Sequence, residues 1–280
     1  MTSSSMTGSK LYDLAMPVFD SLENQELRAT LIEVFSENIE SLKNIEQVFV
    51  ELTSQAHSKD ALRSFFNGWT AANASIASVS GLANRVTLEA RRQDTPGAAQ
   101  QLFDVCYSLQ RISDEDLGVF GGRLHSDLFH TMATTVCSDE QWMLKEYSTP
   151  SAREFKAWRD SQRLGENLLN AMLLTLAHEI FTHAEVEFIQ PLFQDWFTLY
   201  LELPPEKVSV AMAWVNVHTG GTESTHFFHA VDALEGYAAV TGLTIDRSQT
   251  KKVFRDYLSK RSIVMSDLAT AFWKDEAACI

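Results

Sequence analysis

Helix-breaking residues are scarce along this chain, and their scarcity limits what it can fold into. Only 12 Gly and 6 Pro occur among 280 residues, and most of the prolines fall where a helix would begin or end. Apolar residues between them recur with the 3.6-residue period of helices, whereas strand-like alternation is nearly absent. The pattern predicts an all-α protein with helices at about 9–22, 25–55, 59–92, 96–117, 121–137, 150–190, 192–203, 205–217, 222–241 and 247–274.

Polar residues mark several expected helix starts. Four apolar runs are preceded by side chains that can accept a hydrogen bond from a first-turn N–H. These side chains are Ser58, Asp94 with Thr95, Ser148 with Thr149, and Asp246. Pro191 is expected to kink or split its segment, because proline removes a backbone donor and clashes with the preceding turn. No repeat, linker or long heptad run interrupts the pattern. We therefore expect residues 1–9 to form a flexible N-terminus and residues 10–280 a single all-helical domain.

The composition is typical of a globular protein of the cytoplasm. Hydrophobic residues make up 45% of the chain and charged residues 21%, which is enough apolar material for a substantial core. A net charge of -14 without a basic stripe argues against binding to nucleic acid. The three cysteines share no metal-binding spacing and predict neither a disulfide framework nor a zinc ribbon. The most apolar run, NAMLLTLA, is too short to cross a bilayer, so we expect neither export nor contact with membranes.

The stretch DEDLGVFGGRLHSDLFH, residues 114–130, interrupts a helical region with glycines. Glu115 and His125 lie on either side of Gly118 and the pair Gly121-Gly122. On an unbroken helix the two side chains would be about 15 Å and about 80° apart, so they could not share one atom. We therefore expect the glycines to bend the chain and bring the acid and the imidazole together.

The segment NLLNAMLLTLAHEIFTHAEVEFIQPLF places Glu179 among apolar residues. An unpaired carboxylate there would be strongly unfavourable or would take up a proton, so a compensating group is expected. The string HEIFTH invites comparison with zinc proteases, but His178 and His183 are five residues apart instead of four and face different directions. His178, Glu185 and Glu187 are expected to lie on a solvated face.

The segment GGTESTHFFHAVDALEGYAAV, residues 220–240, carries two histidines on one helix face. His226 and His229 are three residues apart, and their face continues through small residues that leave room for an atom. The ferritin-like arrangement needs two Glu-x-x-His elements, and only Glu223 with His226 has that spacing. Helical bundles hold two iron or manganese ions with a mixed carboxylate and imidazole set, which is here Glu115, His125, Glu179, His226 and His229.

Three segments resemble the haem-oxygenase-like non-haem diiron oxidases and oxygenases. EDLGVFGGRLHSDLF is similar to that family's element of an acid, Leu-Gly, a glycine bend and HxxLF, with Glu115 and His125 as its acid and histidine. LLTLAHEIFTHAEVEFIQPLFQDW is similar to the next core helix, whose single Glu falls on Glu179. HFFHAVDAL resembles the closing helix, usually Asp-x-x-His-Ala, with His229 as the last His and His226 replacing Asp. The resemblance covers about residues 100–240.

The resemblance implies an all-α helical bundle of the haem-oxygenase-like type that holds two Fe(II) ions and uses O₂ as co-substrate. Glu115, His125, Glu179 and His229 would be catalytic as metal ligands, with His226 as a further ligand and Glu223, His218 and His183 as second-tier candidates. The family often has another His four residues before the Asp position, where this chain has Thr222. Glu223 or His218 would compensate if the HTGGTES stretch bends inward.

The activity that the resemblance implies is oxidation of a small molecule. Family members commonly oxidise amino acids or fatty acids by N-oxygenation, oxidative decarboxylation or C–C bond cleavage. We expect an amino acid or an amino-acid-derived metabolite, oxidised by one of these reactions or by C–N cleavage in the biosynthesis of natural products. Arg123 and Arg163 are the candidates for binding a substrate carboxylate. A homodimer is left open as the assembly.

Other classes remain open at this stage. A thiaminase-like enzyme on the same fold would need no metal but a nucleophilic cysteine, for which Cys106 and Cys137 are the candidates. A mononuclear iron enzyme would use fewer of the same ligands. A helical binding or scaffold protein would leave the metal-type residues dispersed, whereas an oxygenase brings them together. Haem-binding relatives place their axial His in the first helix, and no His occurs before residue 55.

Overall fold

Helices make up most of the part of the chain that the structure describes. The computed structural model describes residues 8–119 and 122–278, with side chains as far as residue 272, and these residues contain no β-strand. The predicted all-α class is confirmed. No described helix is both long and apolar enough to cross a membrane. The helices are α1 (Lys10–Asp20), α2 (Gln25–Glu37), α3 (Ile39–Thr53), α4 (Lys59–Asn73), α5 (Ile76–Ala90), α6 (Pro96–Asp116), α7 (His125–Cys137), α8 (Pro150–Arg163), α9 (Leu168–Asp195), α10 (Pro205–Ala211), α11 (Ala213–His218), α12 (Thr222–Thr241) and α13 (Arg247–Ala278).

Some features singled out from the sequence fall outside the described residues. These are residues 1–7 of the expected N-terminal segment, Gly121 of the glycine interruption, and Cys279. Ser9, at the end of that segment, is buried and caps α1. Its hydroxyl accepts a hydrogen bond from Tyr12 N and donates one to Glu46 Oε1, 2.6 Å away.

Helix α9 lies at the centre of the bundle. It packs against α1, α3, α8, α11, α12 and α13, and every residue from 171 to 182 is buried. A helix surrounded in this way has no broad solvated face. The expectation that His178 and Glu185 face solvent is therefore wrong, because both side chains are buried, whereas Glu187 is partly exposed.

Four of the predicted helices are each divided in two, namely 25–55, 59–92, 150–190 and 205–217. The break between α4 and α5 shows why periodicity alone misses such points. The guanidinium of Arg159 on α8 is fully buried and donates hydrogen bonds to the carbonyls of Ala72 and Ala74. In a continuing helix these carbonyls would accept from the next turn instead. A contact from a distant helix therefore ends α4.

Pro191 does not split its helix, so the predicted helix boundary at this residue is wrong. Helix α9 continues through this residue to Asp195, and a π-helical turn follows at Trp196–Tyr200. The proline lies on the exposed side of α9. Water can hydrate the carbonyl that loses its donor there, and the ring has room, so the helix tolerates it.

Each expected helix start has a polar cap, but in the two predicted pairs the cap is Thr95 and Thr149, not Asp94 or Ser148. Ser58, Thr95 and Thr149 each accept a hydrogen bond from the backbone N–H three residues later, at 3.2 to 3.3 Å. Asp246 Oδ1 accepts one from Gln249 N at 2.7 Å. Each contact satisfies a donor that the first helical turn leaves without a partner.

Candidate metal centre

A cavity of about 310 Å³ lies where α4, α6, α7, α9, α11 and α12 meet. Part of its wall is apolar and comes from Ile76, Leu117, Leu124, Phe129 and Trp214. The rest carries an unusual concentration of possible metal ligands. These are Asp116, His125, Glu179, His218, Glu223 and His226.

The first group of ligands joins the ends of three helices. Asp116 ends α6, His125 begins α7 and His218 ends α11, and each offers a ligand atom within 4.8 Å of the other two. Asp116 Oδ1 is 3.0 Å from His125 Nδ1, and the rings of His125 and His218 meet edge to face with centroids 4.4 Å apart. His218 Nδ1 donates to Trp214 O at 2.6 Å, which leaves Nε2 with a lone pair.

The second group lies on α9 and the first two turns of α12. Glu179, Glu223 and His226 are all buried, and their ligand atoms also lie within 4.8 Å of one another. His226 Nδ1 is 3.7 Å from Glu179 Oε2 and 3.6 Å from Glu223 Oε2. The two groups adjoin, because Glu223 Oε1 is 3.7 Å from His218 Nε2.

In the second group, the pKa values of Glu179 and His226 are both raised, so both side chains tend to hold protons. Burial and the neighbouring charge of Glu223 raise the pKa of Glu179 to about 8. Burial opposes a charge on His226, but the charge of Glu223 and the hydrogen bond with Glu115 outweigh it and raise the imidazole pKa far above its ordinary value. Glu179 Oε1 has no hydrogen-bond partner among the described residues. Divalent cations replace protons at such a group, because they bind the deprotonated forms.

The glycine interruption brings an acid to His125, but that acid is Asp116. Gly118 adopts φ +66°, a left-handed conformation that glycine accommodates readily. Glu115 lies about 100° around α6 from Asp116, so the two carboxylates point to different neighbours. Glu115 Oε2 is 2.9 Å from His226 Nε2, and its Oε1 accepts from Arg111 at 3.1 Å. The hydrogen bond with His226 lowers the pKa of Glu115.

Gly118→Ala is expected to weaken both the fold and the first ligand group. A Cβ at this position would lie 2.9 to 3.0 Å from backbone atoms of Gly122 and Arg123, and the positive φ adds strain. The connection to α7 would have to move and carry His125 away from Asp116. Urea unfolding should show a loss of about 1–3 kcal/mol, with weaker metal binding in titrations of the folded protein. Gly97→Ala, which adds a Cβ with no heavy atom within 4 Å in α6, is the control.

Asp116 is the residue that the sequence analysis missed, although the sequence contains a signal for it. It follows Leu109 and Ile112 by seven and four residues, and both are buried, so Asp116 continues the buried stripe of α6. Its pKa reflects two opposed effects. Burial raises the pKa of Asp116, whereas the hydrogen bond with His125 and the nearby imidazoles lower it. The lowering is larger, so the net shift is downward.

Helix α12 brings predicted His226 and second-tier Glu223 to the cavity, but not predicted His229. Glu223 and His226 line the cavity as a Glu-x-x-His element, and His218 comes five residues before Glu223. His229 does not line the cavity. It is half-buried near the charges of Glu115 and Arg111, and burial lowers its pKa.

The remaining candidates from the sequence also lie away from the cavity wall. His183 is one turn beyond Glu179 on α9, and burial lowers its pKa. Arg123 is exposed. Arg163 is fully buried between α8 and α5, where Nη1 donates to Ser78 Oγ at 3.2 Å. The structure therefore brings neither arginine to the cavity surface.

The arrangement of helices defines a class, the all-α haem-oxygenase-like fold, as predicted. A solved TenA homolog from Pseudomonas syringae pv. tomato str. DC3000 is similar with a TM-score of 0.57 and 10% identity, over 84% of this chain and 93% of that chain. A CADD-like protein of unknown function from Nostoc punctiforme PCC 73102 is similar with a TM-score of 0.53 and 15% identity, over 94% and 98%. Identities this low establish the fold alone. Comparison with protein-family models and with curated proteins gives no match.

Proposed function

We propose that this chain is an O₂-activating non-haem diiron oxidase or oxygenase that acts on a small substrate. The observation that carries the proposal is the pair of adjoining three-ligand groups on one cavity. Three carboxylates and three imidazoles, without a thiolate, are the donor set that suits iron or manganese in a helical bundle. Both the unpartnered Glu179 Oε1 and the raised pKa of Glu179 fit a site built to receive cations.

Each group would hold one ion. Asp116, His125 and His218 would bind the first ion, and Glu179, Glu223 and His226 the second. Glu223 of the second group also lies 3.7 Å from His218 of the first. Two Fe(II) ions would supply the electrons that O₂ needs to become reactive.

Other residues of the chain orient these ligands and exclude water. Glu115 accepts from one ring nitrogen of His226 and so directs the other, Nδ1, toward Glu179 and Glu223. Arg111 compensates the charge of Glu115 on the outer side. In the same way, the Trp214 carbonyl accepts a hydrogen bond from His218 Nδ1 and leaves Nε2 available to a metal. The apolar wall that includes Phe129 and Trp214 keeps the ligands dry.

The substrate proposed is an amino acid or an amino-acid-derived metabolite, oxidised by N-oxygenation, decarboxylation or bond cleavage. A cavity of about 310 Å³ is at the small end of the range for small-molecule sites. A screen of amino acids and fatty acids for compounds that accelerate O₂ consumption by the iron-loaded protein tests the substrate class.

Anaerobic titration with Fe(II), followed by Mössbauer spectroscopy, tests the metal assignment. We expect two Fe(II) ions to bind per chain and to give the signals of ions in nitrogen and oxygen coordination. Because binding must displace protons from Glu179 and His226, it should release protons and weaken at low pH. Saturation at one ion would support the mononuclear alternative, and the absence of specific binding would refute the proposal.

The thiaminase-like alternative has one observation in its favour, the likeness to a TenA homolog. It needs a nucleophilic thiol in the cavity, and no cysteine is among the described residues that line it. Cys137 is buried on α7, where burial raises the pKa of its thiol to about 12 and suppresses the reactive thiolate. The scaffold alternative does not account for six ligand-type side chains gathered on one cavity. The diiron proposal accounts for the six gathered side chains and needs no cysteine in the cavity.

A further inference from the structure

The cavity has a second polar region that the metal ligands do not use. Asn73, the last residue of α4, and Thr182 on α9 both line it. Asn73 Nδ2 and Thr182 Oγ1 are buried and have no hydrogen-bond partner among the described residues. Buried polar groups in proteins are nearly always satisfied, so two unsatisfied donors on one cavity point to a ligand.

The orientation of the Asn73 amide is fixed by its neighbours. Asn73 Oδ1 accepts a hydrogen bond from Arg261 Nη2 at 2.8 Å. A guanidinium only donates, so the amide oxygen must face it and the NH₂ group is left as the free donor. Both oxygens of Glu185 hold the same Arg261 nitrogen at 2.7 and 2.8 Å, and Arg261 and Glu185 are fully buried. The amide therefore cannot flip to offer an acceptor instead.

Two arginines are buried near this part of the cavity, and one of them, Arg261, is paired with Glu185. Arg163 and Arg261 have no exposed surface. The Asn73 NH₂ group and the Thr182 hydroxyl can both donate a hydrogen bond, so together they suit an oxygen acceptor.

We propose that the Asn73 amide and the Thr182 hydroxyl bind an oxygen acceptor of the substrate, a carboxylate or a carbonyl. Thr182 is three residues from Glu179 on α9, so the two side chains are neighbours on one face. The acceptor would thus be held within one helical turn of the second ligand group, with the rest of the substrate against the apolar wall. The inference rests on the proposed function in taking this cavity as the substrate site.

The test uses the full-length protein in EDTA, so that a probe cannot coordinate a metal. Hexanoate and hexylammonium have the same chain and opposite polar ends, and their affinities can be measured by NMR titration at pH 7. Asn73→Asp retains the contact with Arg261 but replaces the free donor with an acceptor. We expect it to weaken hexanoate binding by about tenfold or more without weakening hexylammonium. Thr182→Val, which removes only a hydroxyl from a similar shape, should also weaken hexanoate selectively.

The control is Ser126→Ala, which removes a hydroxyl from another part of the cavity wall and should leave both affinities unchanged. If Asn73→Asp does not fold by circular dichroism, Thr182→Val decides. Unchanged hexanoate affinity in the folded variants, or no hexanoate binding to the wild type, overturns the inference. Fe(II) stoichiometry is measured separately on each protein. Selective hexanoate binding without Fe(II) binding would contradict the proposed function alone, and the reverse result would contradict this inference alone.

Discussion

His226→Ala is expected to remove at least one of the two Fe(II) ions, whereas His229→Ala is expected to retain both. The two histidines are three residues apart on α12, but only His226 lines the cavity. Its Nδ1 lies 3.6 to 3.7 Å from carboxylate oxygens of Glu179 and Glu223. The family resemblance implies the opposite ranking, with His229 as the more important ligand. The two variants therefore test directly which face of α12 points into the cavity.

Fe(II) per chain is measured by anaerobic titration, and O₂ consumption with an electrode. We expect O₂ consumption to fall to background in His226→Ala and to stay within a few-fold of the wild type in His229→Ala. His226→Asp, which restores an oxygen donor on the same helix face, should recover part of the binding. Loss of both ions in His229→Ala with retention in His226→Ala would show that the ligand assignment on α12 is wrong.

Glu179→Gln is expected to abolish iron-dependent O₂ consumption and, at the same time, to stabilise the metal-free protein. Glutamine keeps the shape of the side chain but cannot supply a carboxylate to a metal. In the metal-free wild type, Glu179 is buried beside Glu223 with one oxygen unpartnered. Glutamine cannot ionise, so the variant avoids the cost of a buried negative charge beside Glu223. The gain in free energy of unfolding at pH 8 should be on the order of a few kcal/mol.

The pH dependence of this gain follows from the pKa of Glu179, which is raised from 4.5 to about 8. Between these values the folded state binds more protons than the unfolded state, so the carboxyl makes stability fall as pH rises. The raised pKa of His226 acts in the same direction above pH 6.5, but Glu115 and Glu223 maintain it in both proteins. The advantage of Glu179→Gln should therefore grow from pH 5 to pH 8 and then level off.

Urea unfolding in EDTA at pH 5, 6, 7, 8 and 9 measures this difference. His183→Gln is the matched control, because His183 lies one turn further along α9 and does not line the cavity. It should consume O₂ at close to the wild-type rate. An equal response to pH in the wild type and Glu179→Gln would mean that Glu179 does not titrate in this window, and full activity of Glu179→Gln would contradict the diiron assignment.

Local patterns were sufficient to predict the all-helical class, several helix starts and the kinds of residue in the candidate site, but not every helix boundary. The 3.6-residue period and the caps at Ser58, Thr95 and Thr149 depend only on neighbours along the chain, so they survive in the structure. The second ligand group was also partly visible in the sequence, because a carboxylate among apolar residues, as at Glu179, needs compensation wherever the helix packs.

The tertiary structure decided which of several neighbouring residues face the cavity. Periodicity locates an apolar face but not the rotation of a helix relative to helices that are distant in sequence, and a shift of one or three residues exchanges Glu115 for Asp116 or His229 for His226. The central position of α9, which buries His178 and Glu185, and the contact from Arg159 that ends α4 likewise depend on packing between helices. These choices are set by long-range contacts, and no window along the sequence contains both partners.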